Sequence, residues 1–402
     1  MNKTVYIVLY TLSVGGAERH ASSIANYLVQ RGYKVEIVLL QNNIVDYALE
    51  EGVKVTSLAD LEYPDNIKND KTRFVDKARL KIFRAISEKR FHYLDRKLYI
   101  ESLYLKKLDD WFGQQNDMNQ NTVISFMTIP NIITAELKQK HGYRLILGEF
   151  TSPQLEFAAD APENKLKRKY FPAADGFVFQ TYEQQEFYTF LPNVKKKVIP
   201  NPIEKIEIAP FRGTRRKEIV NYCKHVKAKN LPLLIEAFSK LVQEYPDYRL
   251  VIYGDGPERK NTEKCIADHG VTDSVFLKPY AKNVLELVRE SALFVSSSDR
   301  EGISNSMLEA MAIGLPVIST DCPAGGARMF IEPYQNGILV PVRDPEALYN
   351  AMKFMLDHPE KAELMSQNAV AIKNTLEKNK VLEQWHDFLK DVQGETNERV
   401  HD

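Results

Sequence analysis

Cysteine is scarce in this 402-residue chain: three residues, Cys223, Cys265 and Cys322, odd in number and widely spaced. That excludes a disulfide framework and a zinc cluster, and it points to a reducing compartment. Net charge is absent too, 54 basic residues cancelling 54 acidic ones, so a nucleic-acid binder with a strongly basic surface is excluded. No apolar run approaches the roughly 18 residues that span a bilayer. The run from Thr4 to Tyr10 leads into glycines and a charged helix, and it reads as a first strand rather than a signal peptide. No G-x-G-x-x-G fingerprint follows that strand, which removes the main support for a dinucleotide cofactor. What is present is ordinary, 44% hydrophobic and 27% charged, in a chain too long for one compact core and suited to two α/β domains. The expectation is a soluble, cytoplasmic protein.

Apolar, β-branched runs recur along the first half at Thr4–Tyr10, Lys34–Leu40, Val53–Leu58, Thr122–Phe126, Arg144–Glu149 and Gly176–Gln180. Helical patterns separate most of them, and strands alternating with helices predict a parallel sheet with right-handed crossovers. The second half repeats the rhythm at Glu218–Tyr222, Arg249–Tyr253, Ser274–Leu277, Leu293–Ser296, Pro316–Ser319 and Gly337–Val340. Between the halves lies VIPNPI (Val198 to Ile203), followed by a polar stretch without period, as in an interdomain linker. The predicted division is a domain over 1–200, a second over 201–375, and a C-terminal helix and tail over 376–402 that packs back on the first domain. An insertion at 61–110 interrupts the first domain with two predicted helices. It holds 13 Lys and Arg against 9 Asp and Glu, with Ala78, Ile82, Phe83 and Ile86 beside Lys77, Arg79, Lys81 and Arg84. Such a stripe suits an anionic membrane or polymer; equally, it suits a hairpin packed on its own domain with a solvated basic face.

Ligands in open parallel sheets lie beyond the carboxyl ends of the strands, and two motifs fall in such loops. Gly15 and Gly16 follow the first strand and open a helix, where free N–H groups can meet an anion; a glycine turn before a helix also has a purely structural reading. In SSSDREGISNSMLEAMAIGLPVIST, Glu301 and Gly302 occupy a loop, a helix begins near Ser304 and Asn305, and Glu309 lies about a turn further on. Two carboxylates so placed accept hydrogen bonds from sugar hydroxyls at opposite ends of a ligand, while the helix N-terminus between them suits phosphates. The alternative is an exposed loop glutamate plus a solvated helical one, but a carboxylate beside Ala310 and Met311 needs a partner.

Along nearly its full length the chain resembles the family 4 retaining glycosyltransferases of GT-B architecture, through GGAER, FQTYEQQEF, IPNPI, HVKAKNLPLLIEAF, GDGPER, EGISNSMLEAMAIGLPVIST and NGILVPVRDPEAL. The resemblance implies an α/β fold of two doubly wound Rossmann-like domains facing a cleft. It places Glu301 near the transferred hexose and Glu309 on the nucleotide ribose. The family's G-R-L-x-x-x-K becomes Cys223 to Lys229 here, so Lys224 and Lys229 take the diphosphate, with lysine keeping the charge of the family's arginine and losing its bidentate fork. Glu301, Lys229 and Lys224 are thus the implied catalytic residues. Gly15, Gly16, Gly302, Ser304, Asn305 and Glu309 join them around the donor. Read from its own position, Glu149 ends a strand at GEFTSP facing the expected cleft and is assigned with Thr128 to the acceptor, a helix-capping role for its neighbours being the equal alternative. The loop Ser125–Pro130 lacks the histidine some members carry there, and His225 and Lys227 are read as facing solvent.

No Asp-x-Asp metal motif stands out, so no metal and no cofactor is expected beyond the nucleotide sugar, in the family commonly UDP-linked. The implied activity is retaining transfer of a hexose or N-acetylhexosamine to a cell-envelope glycan, a polyol-phosphate polymer of teichoic type or a lipid-linked acceptor. Peripheral membrane contact through 61–110 is expected only on the membrane reading of the basic stripe, beside the packed-hairpin one. A nucleotide-sugar isomerase or hydrolase, and a catalytically silent transferase partner, are the rival readings.

Overall fold

The computed structural model describes residues 3–13, 15–41, 43–59, 94–150, 152–158 and 162–395. The first sheet is built from β1 (Thr4–Leu9), β2 (Lys34–Leu39), β3 (Val53–Ser57), β4 (Thr122–Phe126), β5 (Arg144–Glu149), β6 (Gly176–Phe179) and β7 (Lys195–Val198). Its helices are α1 (Gly16–Gln30), α2 (Leu94–Phe112), α3 (Thr128–His141), α4 (Pro153–Ala158), α5 (Pro162–Tyr170) and α6 (Tyr182–Phe187). All pairings are parallel, in the order β3-β2-β1-β4-β5-β6-β7. Of the two helices predicted in 61–110, α2 is one; the other, over the basic stripe, lies outside the described residues.

The second sheet contains β8 (Arg216–Tyr222), β9 (Arg249–Tyr253), β10 (Val275–Lys278), β11 (Ser291–Ser296), β12 (Val317–Thr320) and β13 (Ile338–Val340). Six helices accompany it, α7 (Leu231–Glu244), α8 (Arg259–Asp268), α9 (Val284–Val288), α10 (Asn305–Ala312), α11 (Pro345–Asp357) and α12 (Pro359–Ala369). Two more, α13 (Ile372–Thr375) and α14 (Lys378–Gln393), follow. The order is β10-β9-β8-β11-β12-β13, again all parallel. This is the doubly wound pair of Rossmann-like sheets read from the alternation of strands and helices.

Parallel strands covered on both faces are continuous hydrophobic runs, and β1, β4 and β11 are buried nearly throughout. The strand missed by sequence, β7, reads KKKV and lies at the sheet edge, where lysines suit an unpaired edge. One hydrophobic cluster joins the two halves: Ile7 and Ile24 of the first domain, Ile199 and Ile203 of the linker, Met307 and Met311 of α10, and Trp385 and Phe388 of α14. The helix α14 lies against α1, where Arg31 pairs with Glu383 at 2.5 Å. Each sheet reverses its strand order once, between β1 and β4 and between β8 and β11. The loops leaving those four strands carry nearly every candidate residue.

Candidate functional site

In the second sheet, the exits of β8 and β11 meet. Lys229 follows β8 and its Nζ donates to Glu301 Oε1 in the loop after β11, with both side chains about four-fifths buried. Burial opposes the Lys229 charge, yet the Glu301 carboxylate outweighs that penalty and holds its pKa above the ordinary lysine value. The other Glu301 oxygen accepts from Ser298 Oγ at 3.0 Å, and Ser297 Oγ donates to the Lys229 carbonyl at 3.0 Å. The carboxylate is thereby fixed at both ends. Asn230, at φ 42°, turns the chain into α7 and caps it, its side chain accepting from Leu233 N–H. The turn is tightened from below: a Cβ on Gly254 would lie 1.9 Å from the Cys223 carbonyl, so only glycine fits there.

The helix α10 begins directly after this pair. Ser304 caps it, its hydroxyl accepting from Met307 N–H at 3.4 Å, and Asn305 is its first residue. Glu309 lies one turn in, and its pKa is raised by burial, with Arg19 of α1 close enough across the domain boundary to oppose the rise. Tyr222, held by a 2.8 Å bond to the Ser306 carbonyl, is buried beneath it. The arrangement therefore offers a cation and a helix N-terminus flanked by two carboxylates, one paired with Lys229 and one without a hydrogen-bond donor among the described residues. Such a site accommodates an anionic group between two hydroxyl-bearing ones. Cys223 and Cys322 lie beside the Lys229–Glu301 pair, and burial pushes both thiols up to about 12, so they are protonated and unreactive.

The first domain closes on this loop. A Cβ on Gly302 would stand 2.3 Å from Gln180 Oε1 and 3.0 Å from the Phe150 carbonyl, so Gly302 is required for backbone contact between the domains. Thr181 Oγ1 donates to the Ala324 carbonyl at 2.6 Å, and Arg328 bridges Glu183 at 3.2 Å.

Three sequence expectations change. Gly15 does not present a free N–H: that group donates to Tyr47 Oη at 2.8 Å, and Tyr47 returns a bond to the Gly15 carbonyl. Only Gly16 keeps open space around it. Glu149 does not line a cleft. It is fully buried at the end of β5, accepting from Lys167 Nζ at 3.1 Å and Tyr188 Oη at 3.3 Å. That is a structural ion pair, because an acceptor hydroxyl has no access to it. His225 does not face solvent; it is fully buried, its ring nitrogens without partners and its pKa lowered by burial. Lys224, the other lysine assigned to the diphosphate, is exposed and makes no ion pair among the described residues. Lys227 is exposed as read. Thr128 opens α3 at the exit of β4 and is half-buried.

Sequence reasoning missed Arg19, although it stands in the GGAER motif, and His20 after it. His20 is buried against Phe126, Phe150 and Trp385, with no hydrogen-bond partner and a pKa lowered by burial to about 3. Among the described residues no helix is long and apolar enough to cross a membrane.

Residues 203–371 match the family described as glycosyl transferases group 1. An uncharacterized glycosyltransferase of Haemophilus influenzae is 22% identical over 97% of this chain and 100% of its own length. The Staphylococcus aureus poly(ribitol-phosphate) alpha-N-acetylglucosaminyltransferase is 33% identical over 136 residues, 34% of this chain and 27% of its own. The solved structure of Anabaena HepE in complex with UDP and glucose is similar with a TM-score of 0.71 and 15% identity, over 96% of this chain and 99% of its own. At that identity the structural likeness shows the fold alone, and the fold is GT-B.

Proposed function

We propose that this chain, whose C-terminal half is a group 1 glycosyl transferase domain, moves a hexose or N-acetylhexosamine from a nucleotide sugar, UDP-linked, to an acceptor of the cell envelope with retention of configuration. The observation that carries the reading is the Lys229–Glu301 pair set at the N-terminus of α10, with Glu309 a turn beyond. The acceptor is a glycan, polyol-phosphate polymer or lipid-linked saccharide, a class supported by the named Staphylococcus aureus relative.

In transfer, the bond from the anomeric carbon to the diphosphate breaks and negative charge grows on the leaving oxygen. Groups already aimed at that charge supply the largest catalytic contribution. Lys229 and the free N–H groups of α10 do so, and Lys224, exposed and unpaired, adds charge at the rim. Glu301 holds hydroxyls of the departing sugar and Glu309 those of the ribose, while Gly302, Ser304, Asn305 and Gly16 bring backbone close to the donor. The acceptor oxygen attacks from the face the diphosphate leaves, and its proton passes to the diphosphate. In this reading Lys229, Lys224 and the N–H groups of α10 meet the leaving charge, and no metal takes part.

Purified protein incubated with UDP-glucose or UDP-N-acetylglucosamine and a polyol-phosphate polymer, followed by mass spectrometry, tests this. Expected is acceptor-dependent addition of one sugar residue with UDP released. Release of free sugar at the same rate without acceptor would favour the hydrolase reading instead.

A further inference from the structure

Three carboxamides from distant parts of the chain meet at the start of α10. Gln180 leaves β6 with its backbone N–H held by Gln184 Oε1 at 2.8 Å. Its Nε2 donates to Asn201 Oδ1 at 2.7 Å, and Asn201 Nδ2 donates to Asn305 Oδ1 at 3.4 Å. Asn201 lies between Pro200 and Pro202, whose rings fix φ and hold the linker stiff. Gln180 Oε1 faces the other way, onto Gly302. One buried side chain of the first domain therefore touches both the donor loop and, through the linker, the first residue of α10.

The direction of the bonds matters. Because Asn305 uses its oxygen to accept from Asn201, its Nδ2 hydrogens remain, without a partner among the described residues. An amide held in this sense offers donors to an anion; turned over, it would offer lone pairs. We propose that the Gln180–Asn201–Asn305 chain orients the Asn305 amide for the donor diphosphate, which makes Gln180 and Asn201 positioning residues. The inference rests on the donor site proposed above and extends that site to the linker and the first domain.

The test uses the whole protein and UDP alone as ligand, with affinity from calorimetry and stability from thermal unfolding without ligand. Asn201→Ala frees the Asn305 amide and weakens UDP about fivefold, which is about 1 kcal/mol at 1.4 kcal/mol per decade. Gln180→Leu does the same, and the double variant loses no more than either single one, since all break one chain. Asn201→Asp keeps an acceptor for Gln180 but attracts the Asn305 donors inward, so it weakens UDP more than Asn201→Ala. Unfolding without ligand reads separately the cost of the amide group left unpaired in each single variant, so that it is not mistaken for lost UDP affinity.

Unchanged UDP affinity in Asn201→Ala and Gln180→Leu, additive losses, or an Asn201→Asp variant no worse than Asn201→Ala would each overturn the inference while leaving the donor site intact. If the wild type fails to bind UDP, or Glu309→Ala binds it normally, the donor site itself is wrong and the chain's role falls with it.

Discussion

The buried pair Glu149–Lys167 separates a structural role from a functional one. Its N–O distance is 3.1 Å, with the two side chains 0% and 1% exposed. At an effective dielectric near 20 the attraction at that distance is about 5 kcal/mol, most of it offset by desolvation. Removing one partner leaves an uncompensated buried charge, at a cost of about 3–5 kcal/mol. Lys167→Met is therefore expected to lower the unfolding midpoint of the first domain by about 6–20 °C, at about 2–4 °C per kcal/mol for a unit of this size. Glu149→Gln combined with Lys167→Met removes both charges and keeps an acceptor for Tyr188 Oη, so most of the loss returns. Differential scanning calorimetry reads the midpoints, and UDP affinity serves as the control that stays unchanged. A Lys167→Met protein with wild-type stability and a raised KM for acceptor would refute this and restore Glu149 to the acceptor site.

Other outcomes follow from the same geometry. Lys229→Ala or Glu301→Ala is expected to lower kcat by on the order of 10²–10³, as loss of one preorganised stabilising group does; steady-state rates near wild type in both would remove the site assignment. His20 has a folded pKa of about 3, below its ordinary 6.5. The unfolded chain thus binds the extra proton between those values, and stability falls as pH drops through that window, by up to about 1.4 kcal/mol per unit from this group. His20→Phe flattens that part of the profile in denaturant titrations, and an unaltered slope would contradict the burial. Reversing Lys77, Arg79, Lys81 and Arg84 to glutamate is expected to reduce sedimentation with anionic liposomes, and equal sedimentation would dismiss membrane contact by the basic stripe.

Strand positions were legible because parallel strands are unbroken β-branched runs; Thr122–Phe126, Arg144–Glu149 and Arg249–Tyr253 match the structure residue for residue. Where charge replaced hydrophobicity, as in the lysines of β7, the signal vanished. Glu301, Lys229 and the start of α10 were legible because a single continuous motif and a short loop carry them. Glu149 was not, because its partner lies on a helix that returns to the strand only after folding. His225 looked solvent-facing by residue type, whereas the backbone of Gly254 and Gly256 closes over it. The bond from Gly15 to Tyr47 and the amides of Gln180, Asn201 and Asn305 join residues too distant in sequence for any local pattern to reveal them.

A crystal of the protein soaked with UDP-glucose locates the donor. The diphosphate is expected against Lys229 Nζ and the first N–H groups of α10, with Glu309 on the ribose and Glu301 on the hexose. A ligand bound with its diphosphate away from Lys229, or with neither glutamate on a sugar ring, would contradict that placement.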